Sequence, residues 1–121
     1  MRHLLPGTIL LAACATAPAA APAPATPADA AAAFVRAVEG RDWERAYGLL
    51  SARWRARLTP ARLAADWEAG GALAADRLTR ARLALAEEPV AAGDEARFPI
   101  GAGQELRLVR ESGRWRIDAL E

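Results

Sequence analysis

The sequence predicts an α+β domain in which helices pack on one face of a curved, four-stranded antiparallel sheet. Apolar residues recur at helical spacing over residues 27–70, and beyond Asp76 the period changes to two. Short turns containing Gly separate the alternating segments, as tight hairpins require. Helices followed by hairpins are typical of a helical layer on an antiparallel sheet. We therefore expect three N-terminal helices and then four strands within residues 27–121.

The first two predicted helices have recognisable starts. Thr26 is placed as an N-cap, with Pro27 at the first helical position and Asp29 completing a capping box. Gly40 is placed to end this helix, and Asp42 can cap the second one. Two short amphipathic helices are thus expected to meet at residues 40–41.

A third helix is predicted from a repeat of the same start signal. Thr59 and Pro60 again form a cap followed by proline, and Gly70-Gly71 is expected to close the helix. Residues 51–58 fit a helical stripe and also alternate with period two. We expect a helix or a turn there.

Four strands are predicted in the last third of the chain. The first is placed at residues 81–85, where Ala81, Leu83 and Leu85 alternate with Arg80, Arg82 and Ala84, and the second at residues 96–100. Pro99 disfavours a central hydrogen-bonding position and suggests an edge or a bulge. Residues 106–108 and 115–117 supply the core side of the third and fourth strands.

The amino-terminal segment predicts export. Residues 1–13 combine a positive start with a short apolar run, too short to span a bilayer, as in a secretory signal peptide. The run ends Leu11-Ala12-Ala13-Cys14, which resembles the lipobox of bacterial lipoproteins and implies cleavage before a lipid-modified Cys14. The alternative is an ordinary signal peptide cut after Ala17, with Cys14 discarded. The lipobox implies an anchor in the bacterial cell envelope, in the outer membrane if the cell is Gram-negative.

A tether is predicted between the anchor and the domain. Residues 14–26 contain little besides Ala and Pro, which cannot form a core or a continuous helix. In an extended polyproline conformation, the eleven residues 15–25 would span roughly 30 Å, at about 3.1 Å per residue. The single cysteine excludes an intramolecular disulfide.

Several segments of the domain resemble the nuclear-transport-factor-2-like superfamily, and in particular its small secreted or lipid-anchored members of unknown function. They are the run Ala46-Tyr47-Gly48-Leu49-Leu50-Ser51, the helix start Leu58-Thr59-Pro60, and a terminal hairpin from Leu106 to Asp118 that contains Gly113-Arg114-Trp115-Arg116-Ile117. The resemblance covers residues 27–118 and implies a cone-shaped α+β domain. Its motifs mark structure and carry no chemistry.

We expect no catalytic residues, no metal site and no cofactor. Enzymes of that superfamily, such as ketosteroid isomerases, use carboxylates, tyrosine and often histidine inside the cone. The only histidine here is His3, which leaves with the predicted signal peptide. Tyr47 and Asp66 are the candidates for a hydrogen-bond donor and a base. The simpler interpretation is a tyrosine at the core edge and an exposed helical carboxylate.

The sequence offers two kinds of candidate binding surface. An apolar pocket would be lined by the aromatic residues, which otherwise fill the core: Trp43, Tyr47, Trp54, Trp67 and Trp115. An anion-binding surface would lie on the outer sheet face, which otherwise is simply solvated: Arg80, Arg82, Arg97, Arg107, Arg114 and Arg116. A second basic patch is formed by Arg53, Arg55 and Arg57.

Charge and composition bound the function. Sixteen basic residues, all Arg, face fifteen acidic ones, so long-range steering of nucleic acid is not expected. The charged sheet face favours a monomer. The sequence thus predicts a membrane-tethered, non-enzymatic module that binds an envelope protein or a small apolar ligand. The alternatives are a lyase or isomerase acting on an apolar substrate in the cone, and a purely structural accessory domain.

Overall fold

A computed structural model describes residues 26–121, which form four helices and one four-stranded sheet. The helices are α1 (Pro27–Glu39), α2 (Trp43–Gly48), α3 (Ala52–Arg55) and α4 (Pro60–Ala84). The strands are β1 (Val90–Ala92), β2 (Glu95–Gly101), β3 (Gln104–Glu111) and β4 (Arg114–Leu120), antiparallel in that order. The predicted signal peptide, Cys14 and the tether as far as Ala25 lie outside the described residues.

The predicted starts of α1 and α2 are confirmed. The Thr26 hydroxyl accepts a hydrogen bond from the Asp29 amide at 3.1 Å, and Gly40 caps the carboxyl end of α1. The Asp42 carboxylate accepts from the Arg45 amide at 3.2 Å. Each cap satisfies a backbone donor that the first helical turn leaves without a partner, which is why these helices begin where the sequence predicts.

Helix α4 confirms one prediction and corrects another. It begins at Thr59-Pro60 as expected, and its helical backbone is interrupted at Gly71, where φ is 53° and ψ is −132°, but a second helical segment follows directly and continues to Ala84. The predicted first strand at residues 81–85 is therefore wrong. Leu78 and Ala81, three residues apart, are the buried positions of α4, and this helix packs on β2. Burial at helical spacing outweighed the local alternation.

The sheet has the predicted number of strands, with β1 supplying the first. Ser112 and Gly113, both with positive φ, form the tight turn between β3 and β4. The pairing register shifts between Pro99 and Gly101, which confirms the bulge suggested by Pro99. β1 pairs only with residues 95–97, so Pro99 interrupts no ladder on that side.

The outer edge of β4 is covered by the segment that follows α2. Leu50 forms a parallel bridge with Ile117, whose carbonyl accepts from the Ser51 amide at 2.8 Å. Beyond Ile117 the pairing moves from Leu108↔Ile117 to Arg107↔Ala119, so Asp118 is an extra, bulged residue. This cover hides backbone groups that would otherwise invite another strand, and it places α3 beside the end of β4.

The core lies between the helices and the inner face of the sheet. Phe98, Leu106 and Leu108 of the central strands are at most 1% exposed, and Phe34 of α1 packs with them at 4%. Ala30, with no exposed surface, allows α1 to approach closely. The fold is therefore a layer of helices on an open antiparallel sheet.

Candidate functional site: an apolar groove beside β4

Two adjoining hollows lie between α3, the first half of α4 and the end of β4, and we call them together the apolar groove. They meet at Leu63 and Leu120, which line both. The first, of about 160 Å³, is lined by Phe34, Leu50, Trp54, Leu58, Leu63, Ile117, Asp118, Ala119 and Leu120. The second, of about 350 Å³, is lined by Leu63, Asp66, Trp67, Ala69, Gly70, Leu73, Ala74, Arg77 and Leu120.

The larger hollow has the size of a small-molecule site, since ligand pockets occupy roughly 300–1,000 Å³ and are mostly apolar. Its lining includes Leu73, whose 72% exposure is the greatest among the large apolar residues in the described range. Gly70, which precedes the kink at Gly71, lines it as well. An apolar group entering here would remove leucine and tryptophan surface from water.

One helical turn, α3, forms a wall of the groove. The Tyr47 hydroxyl donates to the Arg55 carbonyl at 2.8 Å, which ties the end of α3 to α2. The Trp54 indole nitrogen donates to the Asp118 carbonyl, so the ring is held against β4. Four residues on, Leu58 completes the same wall.

A buried carboxylate fastens α3 to β4. Asp118 is 8% exposed, and its carboxylate accepts hydrogen bonds from the Ser51 hydroxyl at 2.8 Å and from Arg53 Nε at 2.7 Å and Nη2 at 3.0 Å. Arg107 Nε lies 3.4 Å from Oδ2. Burial alone would raise the pKa of Asp118, but the bonds from Arg53 and Ser51 and the charges of both arginines outweigh it, and the pKa is lowered.

The structure divides the five aromatic residues predicted to form a pocket. Trp54 and Trp67 line the groove, and Trp43 lies against Trp67 with the ring centroids 6.4 Å apart. Trp115 is 7% exposed and belongs to the core. Tyr47 is half-buried beside α3, with its hydroxyl bonded as described above.

Tyr47 and Asp66, the residues considered for acid–base chemistry, have different partners. Asp66 is exposed on α4, lies at the rim of the larger hollow and accepts from Arg62 Nε at 2.9 Å, four residues earlier. The Tyr47 hydroxyl is engaged with a backbone carbonyl. Among residues 26–121 no group of three or more His, Cys, Asp or Glu side chains could hold a metal ion.

The predicted anion surface on the outer sheet face is wrong in part. Arg80 and Arg82 lie on α4, where Arg80 pairs with Asp76 at 3.0 Å. On the sheet, Arg97 lies 3.7 Å from Glu105, and Arg107 lies 3.8 Å from a glutamate of β2, so cross-strand acids oppose these cations. Arg53 of the second patch is joined to Asp118. Arg114 and Arg116 remain together on β4.

Sequence reasoning missed most of the groove. Its aliphatic lining has the composition of a core, and none of these residues is predicted from the sequence as a candidate ligand contact. The sequence also does not predict that Asp118 is a buried carboxylate. The missing signal was the bulge, because a strict period of two cannot show that Asp118 turns out of the pleat towards Ser51.

Comparisons with known proteins found no relative of this chain. No protein-family model matches the chain, and neither a curated protein nor a solved structure does. Within the part of the chain that the structure describes, no helix has both the length and the apolar character needed to cross a membrane.

Proposed function

We propose that this chain is a lipoprotein of the bacterial cell envelope whose domain binds an apolar ligand, or an apolar segment of a partner protein, in the groove beside β4. In this proposal Cys14 carries the lipid, residues 15–25 are the tether, and the domain is a nuclear-transport-factor-2-like cone whose hollow is the groove. The domain acts by binding and performs no chemistry.

The groove is the observation that carries the binding role. Its two hollows share Leu63 and Leu120, one of them is of about 350 Å³, and their linings are mainly aliphatic and aromatic. A groove of this kind offers an apolar ligand several side chains at once, while Asp66 and Arg77 at the larger hollow supply a polar rim.

The anchor is supported by the sequence. Leu11-Ala12-Ala13-Cys14 has the small residues that a peptidase needs beside the scissile bond, followed by a thiol that can be alkylated. Several acyl chains would be needed, because a single chain gives only marginal membrane binding.

The binding role is tested with Nile red, a neutral apolar dye, titrated against the full chain. Leu63 lines both hollows, so Leu63→Gln should weaken binding about tenfold or more, since burial of a leucine contributes roughly 1.5–3 kcal/mol. The matched control is Leu83→Gln, on the same helix and 68% exposed, which should leave the affinity within about twofold. Equal losses in the two variants, with unchanged melting temperatures, would refute binding in the groove.

The anchor has its own test. Expression of the wild type and of Cys14→Ser in a bacterial host with radiolabelled palmitate should label only the wild type. Labelling of both proteins, or of neither, contradicts the anchor and leaves the groove experiment valid.

The alternative of a lyase or isomerase would require Asp66 and Tyr47 to act on one substrate. Both are already hydrogen-bonded to other groups, Arg62 and the Arg55 carbonyl. We therefore favour a binding function over a lyase or isomerase. A turnover assay becomes informative once the groove experiment has identified a ligand.

A further inference from the structure

Three guanidinium groups gather where β4 begins beside α3, and we call Arg55, Arg114 and Arg116 the arginine cluster. Arg114 and Arg116 are two residues apart on β4, with the buried Trp115 between them, so both leave the outer face of the sheet. Arg55, at the end of α3, reaches the same place: its Nη2 lies 4.0 Å from Glu111 Oε1, and Glu111 pairs with Arg114 across the β3–β4 hairpin.

The positive charge of the arginine cluster is only partly neutralised by nearby acids. Glu111 is the acid that acts on it, and both oxygens of that carboxylate also accept from the Ala52 amide, at 3.0 and 3.3 Å. Three positive charges thus face one negative charge that is already shared. The other outer-face arginines differ, because Arg97 and Arg107 each have a glutamate within 4 Å on the adjacent strand.

Two donors of the cluster are withdrawn from water and have no acceptor. The Nε atoms of Arg55 and Arg116 are buried and find no hydrogen-bond partner among the described residues. Buried polar groups are nearly always paired, so an unpaired donor on a charged side chain requires an explanation. Arg116 is held in place by a bond from Nη1 to the Gly48 carbonyl, which fixes its guanidinium beside its neighbours.

The ionisation of Arg116 reflects this crowding. Burial first, and then the charges of Arg55 and Arg114, lower its pKa, and Glu111 only partly offsets them. A bound anion would relieve the repulsion among the three guanidinium groups.

We propose that the arginine cluster binds a phosphate group. Guanidinium forks match the tetrahedral oxygens of phosphate, which can accept from several arginines at once, and the local excess of two positive charges suits one phosphate. The phosphate can belong to an anionic lipid headgroup or to a free phosphate. This site is separate from the apolar groove and does not depend on the proposed function.

The test uses the full chain with Cys14→Ser in every sample, so that no acyl chain at that position contributes to binding. Inorganic phosphate is titrated by calorimetry, and flotation is measured with phosphatidylglycerol vesicles and with phosphatidylcholine vesicles. Arg114→Gln removes an exposed member of the cluster, and Arg97→Gln is the matched control on the same sheet face. Melting temperatures confirm that both variants fold.

Arg114→Gln should weaken binding about tenfold, and Arg97→Gln less than about twofold, because only the first removes a direct donor to the anion. Binding to phosphatidylglycerol vesicles alone assigns the site to a lipid headgroup, whereas binding of phosphate without vesicles assigns it to a free phosphate. No binding of either probe, equal loss in the two variants, or equal flotation with the two kinds of vesicle when inorganic phosphate also fails to bind overturns the proposal.

Discussion

Asp118 gives the sharpest test of how the groove is held together. Its carboxylate is 11% exposed and accepts three hydrogen bonds of 2.7–3.0 Å, two from Arg53 and one from Ser51. Asp118→Asn keeps the size of the side chain, removes the charge and turns one acceptor into a donor that faces the guanidinium groups. The variant therefore isolates the electrostatic part of the contact between α3 and β4.

The expected cost follows from these contacts. A single hydrogen bond to a charged group contributes about 1.5–3 kcal/mol. Because Arg53 is half-exposed and the asparagine oxygen of the variant can still accept one bond, we expect a net loss low in that range. We expect Asp118→Asn to lower the free energy of unfolding by about 2 kcal/mol. For a domain of this size the melting temperature should fall by roughly 8–16 °C.

Thermal unfolding followed by circular dichroism measures this change in the full chain. The matched control is Asp94→Asn, which removes the ion pair of a 75% exposed carboxylate with Arg110 and should cost less than about 1 kcal/mol. If Asp118→Asn unfolds within about 1 °C of the wild type, the carboxylate does not fasten α3 to β4 and the reasoning is refuted.

Three further predictions concern the same domain. Folding lowers the pKa of Asp118, so the ionised carboxylate contributes fully to the free energy of unfolding above about pH 5, and this contribution is lost as the pH falls below about 4. The free energies of unfolding of the wild type and of Asp118→Asn, measured in urea, should therefore converge in acid. Gly71→Ala should lower the free energy of unfolding by about 1–3 kcal/mol, because Gly71 has a positive φ that alanine rarely adopts. Gly48→Ala, with open space around the new methyl group, should leave the free energy of unfolding unchanged or raise it, and equal effects of the two substitutions would contradict the kink. Leu108→Ala should cost about 2–5 kcal/mol and the exposed Leu83→Ala about 0.5 kcal/mol or less, and urea midpoints that fail to separate would contradict the assigned core.

The sequence predicts the parts of the fold that local chemistry decides. Thr26-Pro27 and Thr59-Pro60 mark helix starts because a hydroxyl cap and a fixed φ act within one turn. The Ser112-Gly113 turn is equally local, since both residues adopt positive φ. These elements, the three later strands and the α+β class are confirmed.

The errors lie where distant contacts decide. The helical backbone breaks at Gly71, as Gly70-Gly71 predicts, but the chain then resumes a helix where a strand was expected, because Leu78 and Ala81 are buried and α4 packs on β2. The described part of the chain has four helices where three were predicted, because residues 51–58, expected to be a helix or a turn, form the short helix α3. Because Arg80 and Arg82 lie on α4 and not on a strand, they do not belong to the predicted anion surface of the sheet.

The candidate site was predicted only in outline. Trp54 and Trp67 were among the proposed pocket residues, and aromatic content alone was enough to suggest them. Their aliphatic neighbours could not be separated from the core, because pocket and core have the same composition and differ only in how closely the layers meet. The sequence likewise does not predict that Arg55 lies beside Arg114 and Arg116, because their proximity depends on where α3 packs against β4.

The central claim is that the groove beside β4 receives an apolar ligand, and the indole N–H signals of the four tryptophans test it most directly. In a heteronuclear NMR titration of the full chain with Nile red, the signals of Trp54 and Trp67 should shift with one common affinity, while that of the buried Trp115 stays in place. Unchanged signals of Trp54 and Trp67 at saturating dye, or equal shifts of all four, would contradict the claim.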